Sequence, residues 1–167
     1  MNSATSYPTP LPSQTDESYL QLQLARQTRA VLPLQAARKV LVIPKTKVTP
    51  IPNMPECFLG LFSQRSQVFW AVDLLKILDL RPSEMPPRDY SVVVINSGEI
   101  TLGLVVQEVR GVLRLATNSI QSPSGMVAPR LGPYLQGCLL EQGEVLLVLN
   151  VQAIARSPAL YSVPPPV

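Results

Sequence analysis

Phe58-Leu59-Gly60-Leu61 … Val68-Phe69-Trp70-Ala71-Val72-Asp73-Leu74-Leu75-Lys76-Ile77 returns, without a gap, as Leu135-Gln136-Gly137-Cys138 … Val145-Leu146-Leu147-Val148-Leu149-Asn150-Val151-Gln152-Ala153-Ile154. Gly60 matches Gly137, Val68 matches Val145, Asp73 matches Asn150 and Ile77 matches Ile154. Each copy reads as a glycine opening a strand, a polar turn, an apolar strand, then Asp or Asn ahead of a short helix. Asp and Asn suit that place because their side chains accept the free N–H groups of a first helical turn. A chain built of two similar halves predicts two related β subdomains. It points to a binding scaffold and away from an active site. The turns differ, with Arg65-Ser66 in one copy and Gln142-Gly143 in the other.

Outward from the repeat, strand signals dominate. Leu20, Leu22 and Leu24 alternate with glutamines, and Thr28 to Leu32 follows after an Arg26-Gln27 turn. Gln35 to Lys39 reads as one helical turn before the strand Val40 to Ile43. Prolines 44, 50, 52 and 55 make an irregular connector. Pro82, Pro86 and Pro87 mark Arg81 to Arg88 as a linker crossing between the lobes. Val92-Val93-Val94-Ile95 reads as a strand buried on both faces, and Asn96-Ser97-Gly98-Glu99 as a hairpin turn. Ile100 to Val106 is its partner. Val109 to Leu115 follows, with a bulge at Gly111. Asn118 to Pro133 reads as loop. Many short strands separated by turn signals predict an all-β barrel or sandwich. Trp70 reads as core, with Val68 and Val72 on its face.

The 167 residues suffice for one domain or two small lobes sharing a core. We expect residues 1–17 to be a disordered lead-in and residues 18–157 a single domain of two β subdomains. Residues 158–167 form a Pro-rich tail. No apolar run reaches the ~18–20 residues a membrane helix needs, so no direct membrane insertion is expected. No basic-then-apolar leader opens the sequence. The net charge is +3 and the pI near 9.1, without a Lys/Arg block. The densest basic piece runs from Arg38-Lys39 to Lys45-Thr46-Lys47. A small basic barrel binding single-stranded nucleic acid is one reading of that balance. Aromatics at 5% argue against it, because such binders interleave aromatics with cations.

The chain has no histidine, which removes Ser-His and Cys-His pairs and most zinc catalysis. Cys57 and Cys138 read as free thiols packed like small hydrophobes. No phosphate loop or dinucleotide fingerprint occurs. Glu141 and Glu144 flank a hairpin turn and read as solvated. No catalytic residue, cofactor site or metal site is expected. Arg65 stands in a turn between two apolar strands, where a guanidinium makes planar, multidentate contacts or simply keeps the turn soluble.

The string Thr49-Pro50-Ile51-Pro52-Asn53-Met54-Pro55-Glu56 … Leu59-Gly60-Leu61-Phe62-Ser63-Gln64-Arg65-Ser66-Gln67-Val68 … Val72-Asp73-Leu74 resembles the CheW-like chemotaxis coupling-protein family. So do Leu102-Gly103-Leu104-Val105-Val106-Gln107-Glu108-Val109 and Leu135-Gln136-Gly137 … Leu147-Val148-Leu149-Asn150-Val151. The resemblance implies two SH3-like five-stranded β barrels with a few short helices and no catalytic activity. It implies an adaptor that links methyl-accepting chemoreceptors, at their cytoplasmic tip, to the regulatory domain of a histidine kinase. Such an adaptor is cytoplasmic and recruited to membrane-associated receptor arrays. Related proteins serve type IV pilus motility, so a pilus-motility or phototaxis branch is included. A degenerate member that only pairs with other barrels is a further reading. In the family, the arginine of the turn and the segment before it form partner contacts. That places partner binding on Arg65, Ser66, Lys39 and Glu56. Four positions depart from the family pattern, the first being Ser63 where the family's turn has Asn. Ser66 replaces the glycine of the turn, Gln107 replaces an Asp, and Lys39 is basic where the family is acidic, which suits an acidic partner.

Overall fold

Val92-Val93-Val94-Ile95 carries no polar residue because apolar groups cover both of its faces. In a computed structural model the chain is described over residues 16–82 and 87–161. Most of the predicted lead-in and tail lie outside the described residues. Val92 and Val94 point into one barrel interior, with Phe62, Phe69 and Ala71. Val93 and Ile95 point the other way, into the largest core, with Leu22, Leu32, Leu104, Leu149 and Ile154. A third core of Tyr19, Val31, Leu115, Leu139, Leu146 and Val148 fills the second barrel. Each wholly buried Leu or Ile stabilises by about 1.5–3 kcal/mol relative to exposure.

The strands are β1 (Asp16–Ala25), β2 (Thr28–Pro33), β3 (Ala37–Pro44), β4 (Phe58–Gln64) and β5 (Gln67–Asp73), then the short helix α1 (Leu74–Leu78). There follow β6 (Asp89–Ser97), β7 (Ile100–Val106), β8 (Glu108–Ala116), β9 (Leu135–Glu141), β10 (Glu144–Leu149) and α2 (Val151–Ala155). They form two five-stranded sheets, in the orders β8-β1-β2-β10-β9 (lobe 1) and β3-β6-β7-β5-β4 (lobe 2). Replacing β1, β2, β8, β9 and β10 by β6, β7, β3, β4 and β5 turns the first order into the second. The repeat therefore extends over the whole described chain.

The two halves of the chain are not the two lobes. Each lobe takes two strands from one half and three from the other. The parallel pairs β5–β7 (Ala71↔Gly103) and β2–β10 (Val148↔Val31) join the contributions. This corrects the reading of Arg81 to Arg88 as the crossing, since β5 and β6 lie in the same sheet. The chain crosses at a 3-10 turn, Leu34–Ala36, and at the single residue Gln107 between β7 and β8. The backbone N–H of Gln107 donates to Gln23 O at 3.1 Å.

The repeated glycines do the same job in each half. Thr49 pairs with Leu61 along the outer edge of β4, and Gln121 pairs with Cys138 along β9. A Cβ on Gly60 or Gly137 would overlap the backbone carbonyl of Thr49 or Gln121. The helix caps repeat as expected, with Asp73 Oδ1 accepting from Leu75 N and Asn150 Oδ1 from Ala153 N, each at 3.1 Å.

Three further expectations are corrected. No helical turn reaches Lys39: the 3-10 turn ends at Ala36 and Lys39 lies in β3, because an edge strand has room for the bulge at Arg38. Asn118 to Pro133 is not all loop, since 3-10 turns cover Thr117–Ser119 and Pro129–Tyr134. The hairpin turns also repeat in backbone while differing in sequence. Arg65 and Ser66 have φ of 50° and 67°, and Gln142 and Gly143 have 51° and 79°. Two-residue hairpins favour such mirror-image turns because they match strand twist.

Ser66 holds without glycine's freedom a conformation that costs an L-residue roughly 1–2 kcal/mol. Ser66→Gly is therefore expected to raise stability by about 1 kcal/mol, a rise in Tm of about 2–4 °C by thermal unfolding. An unchanged or lower Tm would show that the turn is not held this way.

Candidate functional site

The β4–β5 hairpin carries the candidate residues at its two ends. Arg65 and Ser66 are exposed at the tip. Glu56 is exposed before the start of β4, about 20 Å away along a seven-residue strand. Its carbonyl accepts from Lys76 Nζ at 3.5 Å. Lys39 is half-buried on β3, with Nζ 5.7 Å from the centre of the Phe69 ring. The structure thus leaves Glu56 apart from Arg65 and Ser66.

The structure corrects the expectation that Trp70 is core on a face shared with Val68 and Val72. Val68 is 65% exposed and Trp70 half-buried, while Val72 on the same face is fully buried. The face runs from solvent into the junction between lobes, so burial grows along it. Trp70 packs edge-on against Phe58 at 5.1 Å and lines an open cleft of about 630 Å³ with Arg38, Lys39, Gln67 and Asn96. Arg38 was visible in the sequence as part of the densest basic piece. Its meeting with Trp70 was not.

A second cleft, of about 520 Å³, is largely apolar. Leu24, Leu59, Leu75, Tyr90, Val105 and Val106 line it, with Lys45 and Asp73 as its charged groups. Burial pushes the Asp73 carboxyl above the usual carboxylate range, against the opposing pull of Leu75 N–H and the Lys76 charge. Lys45 Nζ lies 5.5 Å from the centre of the Tyr90 ring. The topology places a counterpart of about 470 Å³ in the other half of the repeat. There Leu59 is replaced by Gln136, Asp73 by Asn150, Leu75 by Gln152 and Val105 by Pro33. One cleft is apolar and the other is rich in neutral amides. Sequence reading missed the contrast because the repeat was matched for likeness, whereas Leu59/Gln136 and Leu75/Gln152 are its differences.

Little else in the structure suggests chemistry. Cys57 and Cys138 are free and buried, and burial raises both thiol pKa values. Glu141 and Glu144 sit opposite each other in the β9–β10 ladder, and Glu144 pairs with Arg29 at 3.1 Å. Among the described residues, no cluster of His, Cys, Asp or Glu could hold a metal ion, and no helix is long and apolar enough to cross a membrane.

Comparison with known proteins gives a consistent result. The CheW-like domain family matches residues 18–159. The chemotaxis protein CheW of Thermotoga maritima is 26% identical over 114 residues, covering 68% of this chain and 73% of that protein. The chemotaxis protein CheW of Treponema pallidum is 25% identical over 116 residues, covering 68% of each. The crystal structure of the scaffolding protein TtCheW from Thermoanaerobacter tengcongensis superposes with a TM-score of 0.72 at 18% identity, covering 84% of this chain and 92% of that one. With both lobes built as the resemblance implied and the match running through nearly all of them, the chain belongs to the CheW-like domain family.

Proposed function

We propose that this CheW-like scaffold couples methyl-accepting chemoreceptors to a histidine kinase, in a chemotaxis or a pilus-motility pathway. The observation that carries the reading is the contrast between the two equivalent clefts. Of two clefts at equivalent places in the repeat, only one is apolar, at Leu59 and Leu75. An amphipathic helix lays its apolar face into such a groove, so this cleft suits the helical tip of a receptor. Glu56 lies three residues from Leu59 and beside Lys76, on the same side. The kinase regulatory domain docks on the other end of the hairpin, at Arg65 and Ser66, with Lys39 of β3 reaching over Phe69 of the hairpin. Neither contact involves bond chemistry. The protein acts by holding two partners in register.

The test is capture of purified receptor-tip and kinase regulatory-domain fragments by the full chain. Leu59→Asp is expected to weaken receptor capture at least tenfold and to leave kinase capture unchanged, because a carboxylate in an apolar groove lacks a partner. Gln136→Asp, in the amide-rich counterpart, is expected to change neither. Wild-type protein that captures neither fragment would end the coupling reading. Receptor capture unaffected by Leu59→Asp would remove the apolar cleft from it.

A further inference from the structure

Successive side chains of a regular strand point to opposite faces, yet Arg38 and Lys39 line one cleft. The reason is a bulge. The register of β3 on β6 steps from Ala37↔Ile95 to Lys39↔Val94, leaving Arg38 as the extra residue. A bulge re-aims side chains in this way. In the amide orientation that satisfies its neighbours, Asn96 accepts from Arg38 Nη2 at 3.0 Å and donates to Ile100 O at 3.2 Å. Lys39 is held over the Phe69 ring. Neither cation has an ion-pair partner among the described residues, and no carboxylate lines the cleft. Beside them lie the half-buried Trp70 and the exposed Val68.

The other half of the repeat supplies a control. β8 bulges at the equivalent place, where its register on β1 steps from Gln21↔Gly111 to Leu22↔Val109. Arg110 occupies the position of Arg38, and Gly111 that of Lys39. Arg110 is paired with Glu108 on its own strand at 3.5 Å. One bulge is thus neutralised from within, and the other presents two cations beside an apolar floor. β3 is also an edge strand of its sheet, with Val40 and Val42 47% and 68% exposed.

We propose that this cleft is a docking site for an acidic protein segment, with carboxylates on Arg38 and Lys39 and an apolar side chain against Trp70 and Val68. Two fixed, unpaired cations suit carboxylates, and the apolar floor suits a segment in which acidic and apolar residues alternate. Assigning the segment to the kinase regulatory domain rests on the function proposed above. The cleft's preference for acidic peptide does not.

Trp70 is the only tryptophan of the chain, so its fluorescence reports on the cleft directly. The full chain is titrated with a short peptide of alternating glutamate and leucine, and with its glutamine counterpart. The acidic peptide is expected to shift Trp70 emission saturably, and the glutamine peptide to leave it unchanged. Half-molar salt or the double substitution Arg38→Glu, Lys39→Glu is expected to weaken the response at least tenfold. Arg110→Glu, at the equivalent bulge, is expected to leave it intact. Emission unmoved at millimolar acidic peptide, or moved equally by both peptides or in the double variant, would overturn the proposal. Capture of the kinase regulatory domain is measured on the same variants. A peptide response without kinase capture would leave the acidic-segment site standing and remove the kinase as its owner.

Discussion

Gly60→Ala is expected to be the most damaging single-methyl change in the protein. The added Cβ would press on the Thr49 carbonyl, which accepts from Leu61 N at 2.9 Å while Thr49 N donates to Leu61 O at 2.8 Å. To make room, the segment covering β4 must move away and lose both bonds. The backbone at Gly60, with φ of 145°, is also one that L-residues rarely adopt. Overpacking costs about 1–3 kcal/mol, and a backbone held in a glycine-only region costs a similar amount. The sum, about 4 kcal/mol, is a large share of the ~5–15 kcal/mol that holds a typical domain together. Thermal unfolding should show a fall in Tm of roughly 8–16 °C. Gly132→Ala, where a Cβ meets open space, is expected to change little. A Gly60→Ala protein that melts within 2–3 °C of wild type would contradict the edge-covering role.

The second large effect concerns cutting the chain. Residues 1–84 and 85–167, produced separately, are each expected to be unfolded as monomers. The first piece holds β1 and β2 of lobe 1 with β3, β4 and β5 of lobe 2, and the second holds the complement. Neither piece contains a complete sheet, and each would expose its share of the core between the lobes. Mixed in equal amounts, the pieces are expected to regain the circular dichroism and cooperative melting of the whole. A single piece that unfolds cooperatively as a monomer would refute the interwoven arrangement. Self-association of one piece is consistent with it, because each half carries equivalents of the strands it lacks.

The strands were legible because period-two alternation and turn residues are local. Leu20-Leu22-Leu24 and Val92-Val93-Val94-Ile95 announce how many of their faces are covered. The helix caps at Asp73 and Asn150 were legible for the same reason, as was the glycine match of 60 and 137. Partner choice was not. Nothing near Gln107 distinguishes a one-residue crossing between lobes from a hairpin turn, and the prolines of Arg81 to Arg88 suggested a crossing where the chain stays in one sheet. The candidate site was legible only in part. Arg65 and Ser66 could be placed at a turn from their apolar flanks. The convergence of Arg38, Lys39 and Trp70 depends on a bulge, which adds one residue to a strand without breaking its pattern. The apolar cleft depends on Leu24, Leu59, Tyr90 and Val105 meeting from four strands, and no spacing along the chain records that.

The exchange of strands between the lobes has a mechanical consequence. Two lobes joined by one linker would swing like a hinge, and a displacement at one would be lost in the joint. Here two passages of chain and a continuous apolar core tie them together. To bend the molecule at its waist would require opening the packed leucines of the core that both lobes share. The protein is therefore a strut. Leu24 of lobe 1 and the lobe 2 walls of the apolar groove keep a constant relation, and a push on one lobe is delivered to the other almost undiminished.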